Sequence, residues 1–353
     1  MSGWRDNLLK VEPYVPGDQP NEPDMIKLNT NENPFPPAPG VKKVLEDMKY
    51  DRLRLYPPTD AGRLTDSLAR AYNIDRDRIF VGVGSDDVLG MAFLACFAGK
   101  KEILFPDITY SFYSVWADLF KIPYKRPALD ENFRIKKEDY YAPNGGVVIA
   151  NPNAPTSLAM PLGDIEDIIR HNPDSVVIVD EAYIDFGGES ARPLLEKYDN
   201  LLVVQTFSKS RSMAGMRIGF ALGSKELIKE IYSVRNSYNS YTMSMVSILC
   251  GAAAVDDDAY FKKTVSEVVG IRNYTRSRLL ELGYDVLESA TNFLFVEHPE
   301  ISAKDIFEKL KKKHIYVRYF NAPRINNRIR MSMGTKEEMD KVLLEFERIA
   351  KGE

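Results

Sequence analysis

Between residues 79 and 222 the chain alternates short apolar runs with amphipathic stretches, and no other feature of the sequence restricts the fold as strongly. The runs are Ile79 to Val83, Ile103 to Phe105, Val147 to Ala150, Val176 to Val179, Leu201 to Val204 and Ile218 to Leu222. Such runs, separated by helical patterns such as Asp86 to Ala98, predict an α/β fold: a mostly parallel central sheet with helices on both faces. In a sheet of this kind ligands sit at the carboxyl ends of the strands.

A chain of 353 residues is long for one core and predicts more than one domain. After about residue 245 the pattern changes to a long helical region. Strands then follow at Asn292 to Val296, Tyr316 to Phe320 and Ile329 to Met333, with a helix from Lys336 to about Ala350, which reads as a smaller α+β domain. The first 40 residues carry eight prolines, among them Pro13, Pro16 and Pro20, and predict an extended arm. The expected division is an arm over 1–30, a large domain over 31–245 and a small domain over 246–353.

A net charge of -4 argues against a nucleic-acid partner. His171, His298 and His314 lack metal-ligand spacing, so no metal is expected. Cys96 and Cys250 lie in apolar helical contexts and read as reduced core thiols. The polar start around Trp4, Arg5 and Asp6 does not resemble a signal peptide, and no apolar run approaches a membrane span. These features together predict a cytoplasmic protein without a membrane partner.

Notable polar residues follow the central strands. Lys209 ends the run Leu201 to Ser208 and precedes Arg217 by eight positions. An amine flanked by the hydroxyls of Thr206 and Ser208 and trailed by a guanidinium suits an aldehyde that bears a phosphate, so Lys209 reads as a Schiff-base lysine. Gly82-Val83-Gly84-Ser85-Asp86 combines a tight turn with the start of a helix whose free amides can hold a phosphate. Tyr110 could stack on a planar heterocycle. Asn151-Pro152-Asn153-Ala154-Pro155 forms rigid turns with amides to offer. Val176 to Val179 runs into Asp180, Glu181 and Tyr183; a carboxylate there needs a cation, and a protonated pyridine nitrogen would serve. An acidic pair after a strand also suits Mg²⁺, but the chain has no Walker lysine loop.

Asp180-Glu181-Ala182-Tyr183, then Thr206-Phe207-Ser208-Lys209, then Arg217, resembles the fold-type I aminotransferases that use pyridoxal 5′-phosphate, over nearly the whole chain. Within them the likeness is greatest to the branch acting on histidinol phosphate. The resemblance implies Lys209 as Schiff-base lysine and proton shuttle, Asp180 on the pyridine nitrogen, Tyr183 on the phenolic oxygen and Tyr110 on the ring. It implies Gly84, Ser85, Asp86, Thr206, Ser208 and Arg217 around the cofactor phosphate, and Tyr56 lent to the neighbour's site across a homodimer. For substrate it implies Tyr14, Asn31, Arg318 and Arg330, with histidinol phosphate in one half-reaction and glutamate or 2-oxoglutarate in the other.

One position departs from the family pattern: Ala154 stands where the usual asparagine contacts the phenolic oxygen, which leaves Asn151, Asn153 or Tyr183 to make that contact. The same constellation also fits an L-threonine-phosphate decarboxylase or an aromatic amino-acid aminotransferase. A non-enzymatic binding module of this fold is disfavoured, because Lys209, Asp180 and Arg217 are all retained.

Overall fold

The computed structural model describes residues 3–14, 17–99 and 101–353; Pro16 of the arm lies outside them. Seven strands form the large sheet: Ile79–Gly82 (β1), Ile103–Leu104 (β2), Tyr124–Lys125 (β3), Gly146–Ala150 (β4), Val177–Asp180 (β5), Leu201–Thr206 (β6) and Gly219–Leu222 (β7). Their spatial order is β1-β7-β6-β5-β4-β2-β3. β7 runs antiparallel to both β1 and β6, and every other pair is parallel. The short strand β3 has no apolar run to announce it, because both its residues lie at an exposed edge.

Strands β4, β5 and β6 are buried along their whole length, as a sheet covered on both faces requires. Side chains alternate between two cores, following the two-residue period of a strand. Val147, Ile149, Val177, Val179, Leu201 and Val203 face one core; Val148, Ile178, Leu202 and Val204 face the other, together with Phe93, Tyr113 and Trp116.

A second sheet is built from Asp285–Val286 (β8), Phe293–Glu297 (β9), Arg318–Tyr319 (β10) and Arg328–Ser332 (β11), in the order β10-β11-β9-β8. Its core takes in Leu294, Val296, Ile329 and Met331 with Met339, Val342 and Phe346 of the helix Lys336–Ala350. The expected single strand from Tyr316 to Phe320 is two short ones: Ile315–Tyr316 pairs in parallel with Ile26–Lys27 of the arm, and only β10 joins the second sheet. The arm is therefore pinned to the second sheet's unit, and Leu28 enters its core.

The helix Met245–Asp256 packs Ile248, Cys250, Ala254 and Val255 into the first core. We therefore place the division between the domains near residue 257 rather than 245. Among the described residues no helix is long and apolar enough to cross a membrane, and no three or more His, Cys, Asp or Glu side chains are grouped to hold a metal ion.

Candidate active site

Strand alternation decides which of the two adjacent carboxylates reaches the site. Asp180 continues the face of Ile178 toward Tyr113, whereas Glu181 turns to the opposite face. There Glu181 accepts from Gln205 Nε2 at 2.8 Å, Ser190 Oγ at 2.7 Å and the Ala191 amide at 2.6 Å, and burial pushes its carboxyl up to about 7. The pair is thus split by the sheet and does not converge on a cation.

A cavity of about 150 Å³ opens at the carboxyl ends of β4, β5 and β6. Ser85, Asp86, Tyr110, Asp180, Tyr183, Thr206, Ser208, Lys209 and Arg217 line it, closed by Ala150, Pro152, Ala154, Ala182 and Ala214. Residues far apart in sequence meet there because each follows a strand of one sheet.

Lys209 Nζ donates to the Thr30 carbonyl at 3.1 Å, and the Lys209 carbonyl accepts from Asn33 Nδ2 at 2.9 Å. Burial, reinforced by the Arg330 charge and opposed by Glu32 and Asp86, lowers the ammonium to about 8. Asp180 accepts from Tyr113 Oη at 2.7 Å and from the Ala182 amide at 3.2 Å. No cation is among its partners within the described residues, and burial raises it to about 6. A buried carboxyl held in place by a phenol but left without a counter-charge is built to receive a cationic group.

The helix Ser85–Phe97 starts at Gly84 with no side-chain cap, so its first-turn amides point into the cavity as an anion cradle. Gly84 has φ +86°, and a Cβ there would lie 2.5 Å from Arg217 Nη2, so only glycine fits. Gly219 of β7 is equally constrained: a Cβ would come within 2.4 Å of the Gly84 and Ser85 backbone, and its absence lets the helix start sit against the sheet. Arg217 Nη2 lies 3.2 Å from Asp86 Oδ2, and Thr206 Oγ1 lies 3.0 Å from Ser208 Oγ. Two hydroxyls, a guanidinium and uncapped amides form one phosphate-sized cluster.

Tyr110 donates to Asp86 Oδ1 at 2.8 Å, which fixes its ring at the cavity wall. Tyr183 Oη accepts from Asn31 Nδ2 at 2.8 Å and keeps its own proton for another acceptor. Asn31 is itself held by Ser332 and by Asn292 Nδ2, so its side chain orients Tyr183. Arg330 Nη2 donates to the Asn29 carbonyl at 3.0 Å, and its buried Nε has no partner among the described residues. Tyr14 stacks on Phe112 with ring centroids 4.4 Å apart.

Two expected cofactor contacts are not brought to the cavity. The Asn151 amide group exchanges hydrogen bonds with the Met160 backbone at 2.7 and 3.3 Å. Asn153 donates to the Ile108 carbonyl at 3.0 Å and to Thr156 Oγ1 at 2.9 Å, and accepts from Thr109 at 2.8 Å. Both amides hold the turn together, which leaves Tyr183 as the donor facing the site. Tyr56 does not line the cavity either: it is 79 % exposed and packs at a tilt against Tyr241, ring centroids 4.6 Å apart.

Tyr113 and the Thr30 carbonyl are site elements that motif reading missed. Tyr113 sits in the first turn of the helix Phe112–Phe120, where no motif marks it.

The profile of the family described as aminotransferase class I and II matches residues 23–346. The chain is 50 % identical over 340 residues to a histidinol-phosphate aminotransferase of Lactococcus lactis subsp. cremoris (strain SK11), covering 96 % of each chain. It is likewise 50 % identical over 336 residues to one of Brachyspira hyodysenteriae (strain ATCC 49526 / WA1), covering 95 % of each. A crystal structure of histidinol-phosphate aminotransferase from Sinorhizobium meliloti in complex with pyridoxal-5′-phosphate superposes with a TM-score of 0.85 at 22 % identity, covering 93 % of this chain and 91 % of that one, a likeness of fold. From profile, relatives and site geometry together, the chain belongs to the aminotransferase class I and II family.

Proposed function

We propose that the protein is a pyridoxal-phosphate enzyme that exchanges the amino group between L-histidinol phosphate and 2-oxoglutarate, giving imidazole acetol phosphate and L-glutamate in histidine biosynthesis. The observation that carries this reading is one cavity holding Lys209, Asp180 and Arg217, beside Arg330 and Arg318, which form no ion pair among the described residues. The relatives at 50 % identity bear the same activity in their names.

The residues present suit the cofactor. Asp180 lacks a counter-charge that a pyridinium nitrogen would provide, and the uncapped helix start with Thr206, Ser208 and Arg217 would hold a phosphate. When bound, pyridoxal phosphate supplies a ring that accepts electrons from the substrate's α-carbon. Asp180 would hold the proton on the ring nitrogen, and Tyr183 would donate to the phenolic oxygen with Asn31 setting its direction. Lys209 carries the amine and moves the proton at the α-carbon. Arg330 and Arg318 would grip the anionic end of either substrate, since each guanidinium fork matches a phosphate or a carboxylate. Tyr14 would close the arm over it.

The enzyme works as a homodimer in this reading. Exposed Leu53, Leu55, Tyr56, Tyr238 and Tyr241 supply an apolar surface, and Tyr56 would reach the neighbour's cofactor phosphate. Free Cys96 and Cys250 suit the reducing cytoplasm in which we place it.

The deciding assay measures glutamate formed from 2-oxoglutarate with L-histidinol phosphate as amino donor, and carbon dioxide released from L-threonine phosphate. Glutamate without carbon dioxide is the expected result. Decarboxylation without glutamate would overturn the reading.

Two further outcomes follow. Arg330→Gln should lower kcat/KM for histidinol phosphate roughly hundredfold, as loss of a charged pair partner in a dry site does, with cofactor affinity retained. Because the Lys209 ammonium is lowered to about 8, its reactive neutral form is abundant above that pH and declines below it. The rate at which apoprotein takes up pyridoxal phosphate should therefore fall by about tenfold per pH unit below 8, and stopped-flow absorbance between pH 6 and 9 would read it. A flat profile would contradict the desolvated amine.

A further inference from the structure

We propose that Arg235 is a positioning residue for Tyr56, holding that ring at the angle from which it meets the neighbouring subunit's cofactor phosphate. The inference rests on the homodimer reading above and adds to it the part of the chain that makes Tyr56 rigid.

Arg235 lies on the helix Lys225–Tyr238 and is only 2 % exposed. Its Nη2 donates to the Thr59 carbonyl at 2.9 Å and its Nη1 to the Ser240 carbonyl at 3.2 Å. The guanidinium carbon lies 4.9 Å from the centroid of the Tyr232 ring, and the buried Nε has no partner among the described residues. This cation therefore contacts neutral carbonyls and an aromatic face, while the carboxylates of Asp87 and Asp60 act on it only from beyond ion-pair contact among the described residues. A buried charge paired so weakly is a costly way to build a turn, which argues for a duty beyond holding the chain.

The two carbonyls belong to the two segments that carry the exposed aromatic pair. Tyr56 is joined to Thr59 through Pro57 and Pro58, whose rings fix φ and leave the link little freedom. Anchoring Thr59 therefore fixes the direction in which Tyr56 leaves the surface. On the other side Tyr241 directly follows Ser240, and its ring is the platform against which Tyr56 rests at 4.6 Å. One planar fork holds both backbones at once. A lysine ammonium, a point charge on a flexible stem, does not reproduce that geometry.

A solution titration of apoprotein with pyridoxal phosphate, read by visible absorbance, tests the inference with Tyr56→Phe, Arg235→Lys, Arg235→Met and the double variants. Tyr56→Phe and each Arg235 variant should raise the Kd for pyridoxal phosphate by about tenfold, the loss of one hydrogen bond to a charged group. The double variants should be no weaker than Tyr56→Phe alone, because both changes remove one contact. If the losses multiply instead, Arg235 supports the fold in general and the proposal fails. Arg235 variants that bind like wild type while Tyr56→Phe is weakened also overturn it, and leave the homodimer reading intact. Tyr56→Phe that binds like wild type removes Tyr56 from the cofactor site, and this inference with it. Arg235→Lys decides the matter where Arg235→Met fails to fold.

Discussion

Replacing Lys209 with alanine is expected to lower the turnover of histidinol phosphate by about 10⁴-fold or more, the upper range for loss of a positioned acid-base group, since the same amine also provides the covalent attachment. The structure concentrates both duties on one nitrogen. Among the described residues Lys209 Nζ has a single hydrogen-bond acceptor, the Thr30 carbonyl, and its neighbour Arg330 repels the charged form. Such an amine gives up its proton more readily than a free one, and it is aimed by one contact that a substrate can displace. Single-turnover glutamate formation by Lys209→Ala protein loaded with cofactor is the measurement. Turnover within tenfold of wild type would remove Lys209 from the chemistry.

The second large effect is expected at Asp180. Asparagine has nearly the same shape; its one amide oxygen can still accept from the Ala182 amide while its NH2 group donates to a reoriented Tyr113 hydroxyl, but it cannot balance a cation. Breaking a buried pair by removing one charge typically costs about 3–5 kcal/mol, so Asp180→Asn should lose roughly 10²- to 10⁴-fold in kcat, with the protein still folded. The thermal midpoint of the apoprotein separates this from a packing defect. Asp180 is raised to about 6 by burial, so in the apoprotein it is destabilised in its charged form at neutral pH. Its folded pKa lies above the unfolded value, and the carboxyl binds a proton more readily folded than unfolded. This group's contribution to apoprotein stability is therefore largest at acid pH and declines as pH rises through 6, and Asp180→Asn should make the slope shallower by this group's share while the share of Glu181, raised to about 7, remains. An unchanged kcat, or a slope as steep as that of the wild type, would contradict the assignment of Asp180 as the counter-charge.

Much of the site was legible because its main residues directly follow strands. A buried parallel strand is a local signal, and whatever ends it arrives at the ligand edge of the sheet; Ser85, Asp180, Thr206, Ser208 and Lys209 were found that way. The period of two would also have separated Asp180 from Glu181, had the strand's parity been followed from Val177 onward. Loops are less legible, since their polar groups can bond to one another. Asn151 and Asn153 carry suitable amides and a suitable location, yet both are used to hold their own turn. No spacing rule distinguishes an amide facing a ligand from one facing Met160 or Ile108.

The sequence by itself determined the α/β class, the strands that carry the chemistry and the residues at their ends, because burial on both faces and turn chemistry are written in neighbouring positions. Only the tertiary structure decided that β7 runs antiparallel, that the arm pairs with Ile315–Tyr316, and that Tyr113 holds Asp180 while Asn31 directs Tyr183. Those contacts join segments distant in sequence, and their geometry depends on how two cores and two sheets pack; a hydrogen bond of 2.7 or 2.8 Å across such a distance leaves no periodic trace in the chain.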